Sequence, residues 1–106
     1  MNKVVRDGKV AVLITNNWGA GWYSTHGIEE LLFDPEIVKM LENANDTDIT
    51  QEIVDYVEKK HGHDLYLGGV DNLSVVWVSE GEEFLVHEYD GYESLWYKNG
   101  LKWHTA

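Results

Sequence analysis

The residues with the richest chemistry lie in one stretch, Asn16-Asn17-Trp18-Gly19-Ala20-Gly21-Trp22-Tyr23-Ser24-Thr25-His26-Gly27. Three aromatic rings, three glycines and four small polar side chains fall within these twelve residues. Trp18, Trp22 and Tyr23 are of the type that stacks on a planar ligand such as a nucleobase, worth roughly 1–3 kcal/mol per base. Gly19, Ala20 and Gly21 can form a nest, in which successive backbone N–H groups converge on an anion. Ser24, Thr25 and His26 add hydrogen-bonding groups. These nine residues are the candidate ligand-binding set. The stretch is neither a P-loop nor a dinucleotide fingerprint, because it lacks the G-K-S/T ending and the third spaced glycine. In the competing reading both tryptophans are core plugs, and the glycines only permit a sharp turn.

Other chemistry is sparser. His61-Gly62-His63-Asp64 has metal-ligand character, but zinc would need a third or fourth ligand from His26, His87 or His104. A histidine favoured at a helix C-terminus explains His61 as well. Neither a metal site nor a cofactor is expected. Ser24, Thr25 and His26 are adjacent, which rarely gives the in-line geometry of nucleophile and base, and there is no G-x-S-x-G elbow. No catalytic residue is assigned, and a non-enzymatic role is expected.

The rest of the chain must position the stretch. With 106 residues it is expected to form a single domain, 1–106. It has no cysteine, so disulfides and thiolate chemistry are excluded. No apolar run approaches a membrane span, and the first residues read as no secretory signal, so a cytoplasmic location is expected. Eight Lys and Arg against nineteen Asp and Glu give a net charge of −11. That argues against direct contact with nucleic acid or an anionic membrane, and for a basic protein partner or imitation of a polyanion. Residues 28–58 carry ten of the carboxylates against one cation, Lys39.

Asp7-Gly8 between two β-capable runs signals a type I′ hairpin. Val10-Ala11-Val12-Leu13-Ile14 reads as a strand buried on both faces. Ile28–Phe33 suits a helical turn. Asp34-Pro35 opens a helix, with Asp as N-cap and Pro at the first position; it ends near Asn43-Ala44-Asn45-Asp46. A second helix runs from Asp48-Ile49-Thr50-Gln51 to Gly62. Leu73–Ser79, Glu83–Tyr89, Tyr92–Lys98 and Leu101–His104 form a meander, with turns at Asp90-Gly91 and Asn99-Gly100. The fold class is α+β: a largely antiparallel sheet, made of the N-terminal hairpin and the C-terminal meander, covered on one face by the two central helices. The uncovered face should carry several tyrosines and tryptophans, and a homodimer through that face is a further expectation.

Asp7-Gly8-Lys9-Val10-Ala11-Val12-Leu13, Gly19-Ala20-Gly21-Trp22 and Glu30-Leu31-Leu32-Phe33-Asp34-Pro35 together resemble small acidic accessory proteins of tailed bacteriophages. Gly68-Gly69, Trp77-Val78-Ser79-Glu80-Gly81 and Glu88-Tyr89-Asp90-Gly91 continue the likeness. None of these segments is a motif of known chemistry, so no catalytic residue transfers. The resemblance implies a context, the countering of host defences in the host cytoplasm. Two functions fit it. The first is a small-ligand binder that sequesters a nucleotide-type immune signal through Trp18–His26, with Gly68-Gly69 as a facing loop. It needs Lys3, Arg6, Lys9, Lys98 or Lys102 nearby for the phosphates and predicts a concave pocket. The second is an acidic mimic of nucleic acid that inhibits a basic host protein. It predicts rows of carboxylates on a convex face, with Trp18 and Trp22 buried.

Overall fold

A computed structural model describes residues 2–44, 48–98 and 105–106. The third turn, at Asn99-Gly100, the strand expected at Leu101–His104, and Asn45 and Asp46 lie outside the described residues.

β1 (Val5–Arg6) and β2 (Lys9–Thr15) form the expected hairpin. Asp7 and Gly8 both take positive φ, 52° and 75°, as a type I′ turn requires. β2 then pairs antiparallel with β3 (Leu73–Ser79) along its whole length, from Lys9 opposite Ser79 to Thr15 opposite Leu73. β4 (Phe84–Tyr89) and β5 (Tyr92–Tyr97) pair only with each other, through a second type I′ turn at Asp90-Gly91. The fold is α+β with antiparallel strands, as expected, but the strands form two sheets, β1-β2-β3 and β4-β5.

The split has a physical cause. Both faces of the larger sheet are apolar; the two longer helices cover one, and Leu32 and Phe33 cover only part of the other. Ala11 and Leu13, opposite Trp77 and Val75, face the helices. There they meet Ile37 and Val38 of α3 (Pro35–Glu42) and Ile53 and Val57 of α4 (Thr50–His61). Val12 and Ile14, with Val76 and Val78, turn to the other face, where they meet Phe84, Val86, Leu95 and Tyr97 of the β4-β5 hairpin. The chain therefore turns away at Glu80–Glu83 and folds back as a lid on the second face.

α3 starts as its sequence dictates: Asp34 Oδ1 accepts from the N–H groups of Glu36 and Ile37, at 2.9 and 3.3 Å. Asp48 Oδ1 accepts from Thr50 N–H at 2.9 Å at the head of α4, whose C-terminus is closed by the Gly62 N–H on Glu58 O. Gln51 does not complete a capping box; its side chain donates to Asp55. Two further helical turns appear, α1 (Tyr23–His26) and α2 (Glu29–Leu32). α2 matches the expected turn before Asp34. α1 lies inside the aromatic–glycine stretch, where sequence patterning gave no helix.

Candidate functional site

β2 delivers the Asn16–Gly27 stretch to the junction of the two sheets, and several contacts tie it down, three of them central to the site. Gly19 N–H donates to Asp90 O at 2.8 Å, which joins the stretch to the β4-β5 turn. On the opposite side Gly68 and Gly69 press against the backbone of Ala20 and Gly21. A side chain at Gly69 would meet Ala20 O at 2.6 Å, and its φ of 71° already favours glycine.

The third contact is the one the sequence hid. Glu93 of β5 is 1% exposed and its carboxylate lies inside the stretch. Oε1 accepts from Thr15 N–H at 2.9 Å, and Oε2 accepts from Ser24 N–H at 2.7 Å. The Thr15 hydroxyl lies 3.2 Å from Oε1 and 3.1 Å from Gly91 O. No Lys or Arg pairs with Glu93 among the described residues. Two backbone N–H groups and the Thr15 hydroxyl hold this buried carboxylate without a cation, which is how it replaces lost water. Of the nine candidate residues, Ser24 donates its N–H to this carboxylate; the Gly19 N–H instead donates to Asp90 O.

The nine candidate residues separate accordingly. Trp22 is 0% exposed, packed in the helix-side core, and its indole N–H donates to Leu31 O at 3.1 Å. Tyr23 is half-buried beside the hairpin-side core. Thr25 Oγ1 donates to Gly21 O at 2.6 Å. His26 Nδ1 accepts from Ile28 N–H at 2.9 Å. Its ring stands edge-on to Trp22, centroids 4.7 Å apart. Burial pushes the His26 pKa down to about 4; His61 lowers it as well, and Glu93 works in the opposite direction. Gly21 and Ser24 lie against the Glu93 carboxylate, whereas Gly19 is tied to Asp90 and Ala20 packs on Gly68 and Gly69. Of the three aromatic candidates Trp18 faces outward, at 62% exposure; Gly19, Ser24 and Thr25 are exposed as well.

Trp18 does not stand alone. Its ring lies 5.9 Å from Tyr89 and 5.1 Å from Tyr92, centroid to centroid. These tyrosines are cross-strand partners at the turn end of the hairpin. The same outer face continues through His87, stacked on Trp96 at 4.0 Å and 10°, to Leu85, the cross-strand partner of Trp96. Leu85, Tyr89, Tyr92 and Trp96 are all exposed. Alternation puts Phe84, Val86, Leu95 and Tyr97 inward and this row outward. In sequence Glu82 and Glu83 precede one end of the row and Asp90 stands in the turn at the other; Glu88 alternates to the inner face, where it accepts from Gly91 N–H. The uncovered aromatic face expected for the sheet exists, on the smaller sheet.

Three of the five cations named for a phosphate ligand are engaged elsewhere; Lys9 lies on β2 opposite Arg6 and Ser79, and Lys102 lies outside the described residues. Arg6 pairs with Glu42 and lies over Trp77. Lys98 pairs with Glu83 at 2.7 Å, and Lys3 lies over Phe33. Of four surface clefts, about 410 to 590 Å³ in volume, one reaches the stretch, at Tyr23.

The acidic helical region is less bare than its charge count. Asp34 is buried as the α3 cap and accepts from the Tyr56 hydroxyl at 2.7 Å. Glu30 pairs with Lys60 at 2.7 Å, which holds the Glu30 carboxyl below the usual carboxylate range. Glu58 meets His63 Nδ1 at 2.9 Å. Among the described residues, no group of three or more His, Asp or Glu side chains is placed to hold a metal ion.

Glu93 had a legible signal: on the period-2 pattern of β5 it shares the inward face with Leu95 and Tyr97, an acid on an apolar side. No protein-family model, no curated protein and no solved structure matches this chain.

Proposed function

We propose that this chain is a non-enzymatic accessory protein that binds a basic protein partner through the aromatic outer face of the β4-β5 hairpin. One observation carries the reading: Trp18, Tyr89, Tyr92, Trp96 and Leu85 lie exposed in one row, flanked at both ends by carboxylates. Trp and Tyr supply most binding energy in protein interfaces, because they bury much area with few rotamers to freeze. The −11 charge steers a cationic partner toward that face and repels polyanions. In the phage context implied by the resemblance, the partner is a host protein and the outcome is its inhibition.

The chain differs here from an acidic mimic whose carboxylates alone make the contact. Aromatic burial gives the affinity, and charge gives selectivity and rate. The test is affinity capture from bacterial lysate with the intact chain, repeated at rising salt and with Trp18→Ala and Trp96→Ala. Capture that weakens with each substitution and is only partly lost in salt supports the reading. Capture indifferent to both substitutions contradicts it.

A nucleotide-type ligand is the second reading, favoured by the open Trp18 ring 5.1 Å from Tyr92, where a base could stack. Calorimetry against cyclic di- and oligonucleotides and ADP-ribose derivatives tests it. No heat from a folded sample rejects it.

A further inference from the structure

We infer that the aromatic row takes a proline-rich segment of the basic partner in polyproline II form; this names the partner's binding element and rests on the function proposed above. The row is not evenly filled. On the outer face β5 presents Tyr92, Ser94 and Trp96, and β4 presents Tyr89, His87 and Leu85 opposite them. His87 is the cross-strand partner of Ser94, yet its ring stacks on Trp96 at 4.0 Å and 10°. It therefore leans along the hairpin, away from the turn. At the turn end Trp18 packs on Tyr89 and Tyr92. Two ring clusters result, with the small side chain of Ser94 between them. Tyr92 and Trp96 are separated by about 14 Å of strand. A flat apolar ring of the partner enters between the clusters, over Ser94.

Hydrogen bonding sharpens the class of visitor. Trp22 and Tyr56 spend their ring donors inside the chain, on Leu31 O and Asp34 Oδ2. Among the described residues, the indole N–H groups of Trp18 and Trp96 and the hydroxyls of Tyr89 and Tyr92 have no such partner, and all four rings are exposed. An indole N–H only donates. Such a surface suits a backbone rich in carbonyls and poor in N–H groups, and proline supplies that. A polyproline II segment has no internal hydrogen bonds, so its carbonyls stay open to these donors, and its stiffness lowers the entropy lost on docking. A helical visitor would have spent the same carbonyls within itself. The −11 charge, with Asp90 in the turn beside the row, favours prolines flanked by arginine or lysine.

The test is an amide and indole NMR titration of the full chain with a blocked hexaproline peptide carrying an arginine at each end. The control peptide replaces every proline by alanine and keeps the charge. Shifts centred on the Trp18 and Trp96 indoles and on Ser94 are expected, with the alanine peptide at least about fivefold weaker. Ser94→Leu, which fills the space between the clusters, should weaken the proline peptide at least about fivefold, whereas Ser94→Ala should stay within about twofold. The peptide comparison needs no variant and decides by itself. Equal binding of the two peptides, shifts centred elsewhere, or no shifts at about 1 mM proline peptide would overturn the proposal. Partner capture that still needs Trp18 and Trp96 then spares the wider function. Proline peptide seated on the row, with partner capture indifferent to those aromatic residues, overturns the wider function instead.

Discussion

Replacing Glu93 removes the anion that joins the two sheets, and the cost can be worked from its contacts. In Glu93→Ala the N–H groups of Thr15 and Ser24, now at 2.9 and 2.7 Å from carboxylate oxygens, lose their acceptor. Each buried donor left unpaired costs about 1–3 kcal/mol. The vacated space adds a cavity cost. Relief from burying a charge without a cation offsets part of this. The net loss is about 3–4 kcal/mol, a large share of the roughly 5–15 kcal/mol that holds a domain folded. Glu93→Gln keeps an acceptor for Thr15 but turns an amide donor toward Ser24 N–H, so about 2 kcal/mol is expected. Urea unfolding followed by tryptophan fluorescence reads both. At a slope of about 1–2 kcal/mol/M, the alanine midpoint falls by roughly 2 M, and the slope itself is unchanged. Both variants within about 0.5 kcal/mol of the parent would refute the clamp.

The two tryptophans of the stretch should separate cleanly. Trp22→Ala should cost about 3–5 kcal/mol, as for a large core residue, while Trp18→Ala should cost less than about 1 kcal/mol and instead weaken partner capture. Denaturation midpoints beside capture yields check this. His26 gives a pH window. Its folded pKa, about 4, is below the ordinary 6.5, so the unfolded chain binds the proton more tightly. Stability is full above about pH 6.5 and is lost as pH falls toward 4; partial exposure trims the loss to about 1–2 kcal/mol. His26→Asn preserves an acceptor for Ile28 N–H and should remove that part of the pH slope in urea titrations between pH 4 and 7.

Much of the fold is written in local patterns. Asp7-Gly8 and Asp90-Gly91 name their turns, Asp34-Pro35 names its helix, and the five-residue run at Val10–Ile14 names a strand covered on both faces. The division into two sheets is not local. It follows from the demand that Val12, Ile14, Val76 and Val78 be covered, a demand that two strands distant in sequence create together. The aromatic row was visible as alternation in β4 and β5, and Trp18 joins it only through the three-dimensional meeting of stretch and turn. The candidate set Trp18–His26 reads as one site because rings for stacking, a glycine nest and small polar groups lie side by side in it. Local pattern does not show that Ser24 N–H is committed to Glu93, which is distant in sequence, or that Trp22 turns inward while Trp18, four positions earlier, turns out.

Partner capture by two triple variants, side by side, is the decisive comparison. One carries Trp18→Ala, Tyr92→Ala and Trp96→Ala on the aromatic row. The other carries Glu52→Lys, Asp55→Lys and Glu58→Lys on α4. If the hairpin face is the binding surface, the first loses capture and stays folded with Trp22 buried, and the second still captures, with a modest loss from its changed charge. Capture retained by the aromatic variant and abolished by the α4 variant would place the interface on the acidic helix and contradict the proposal.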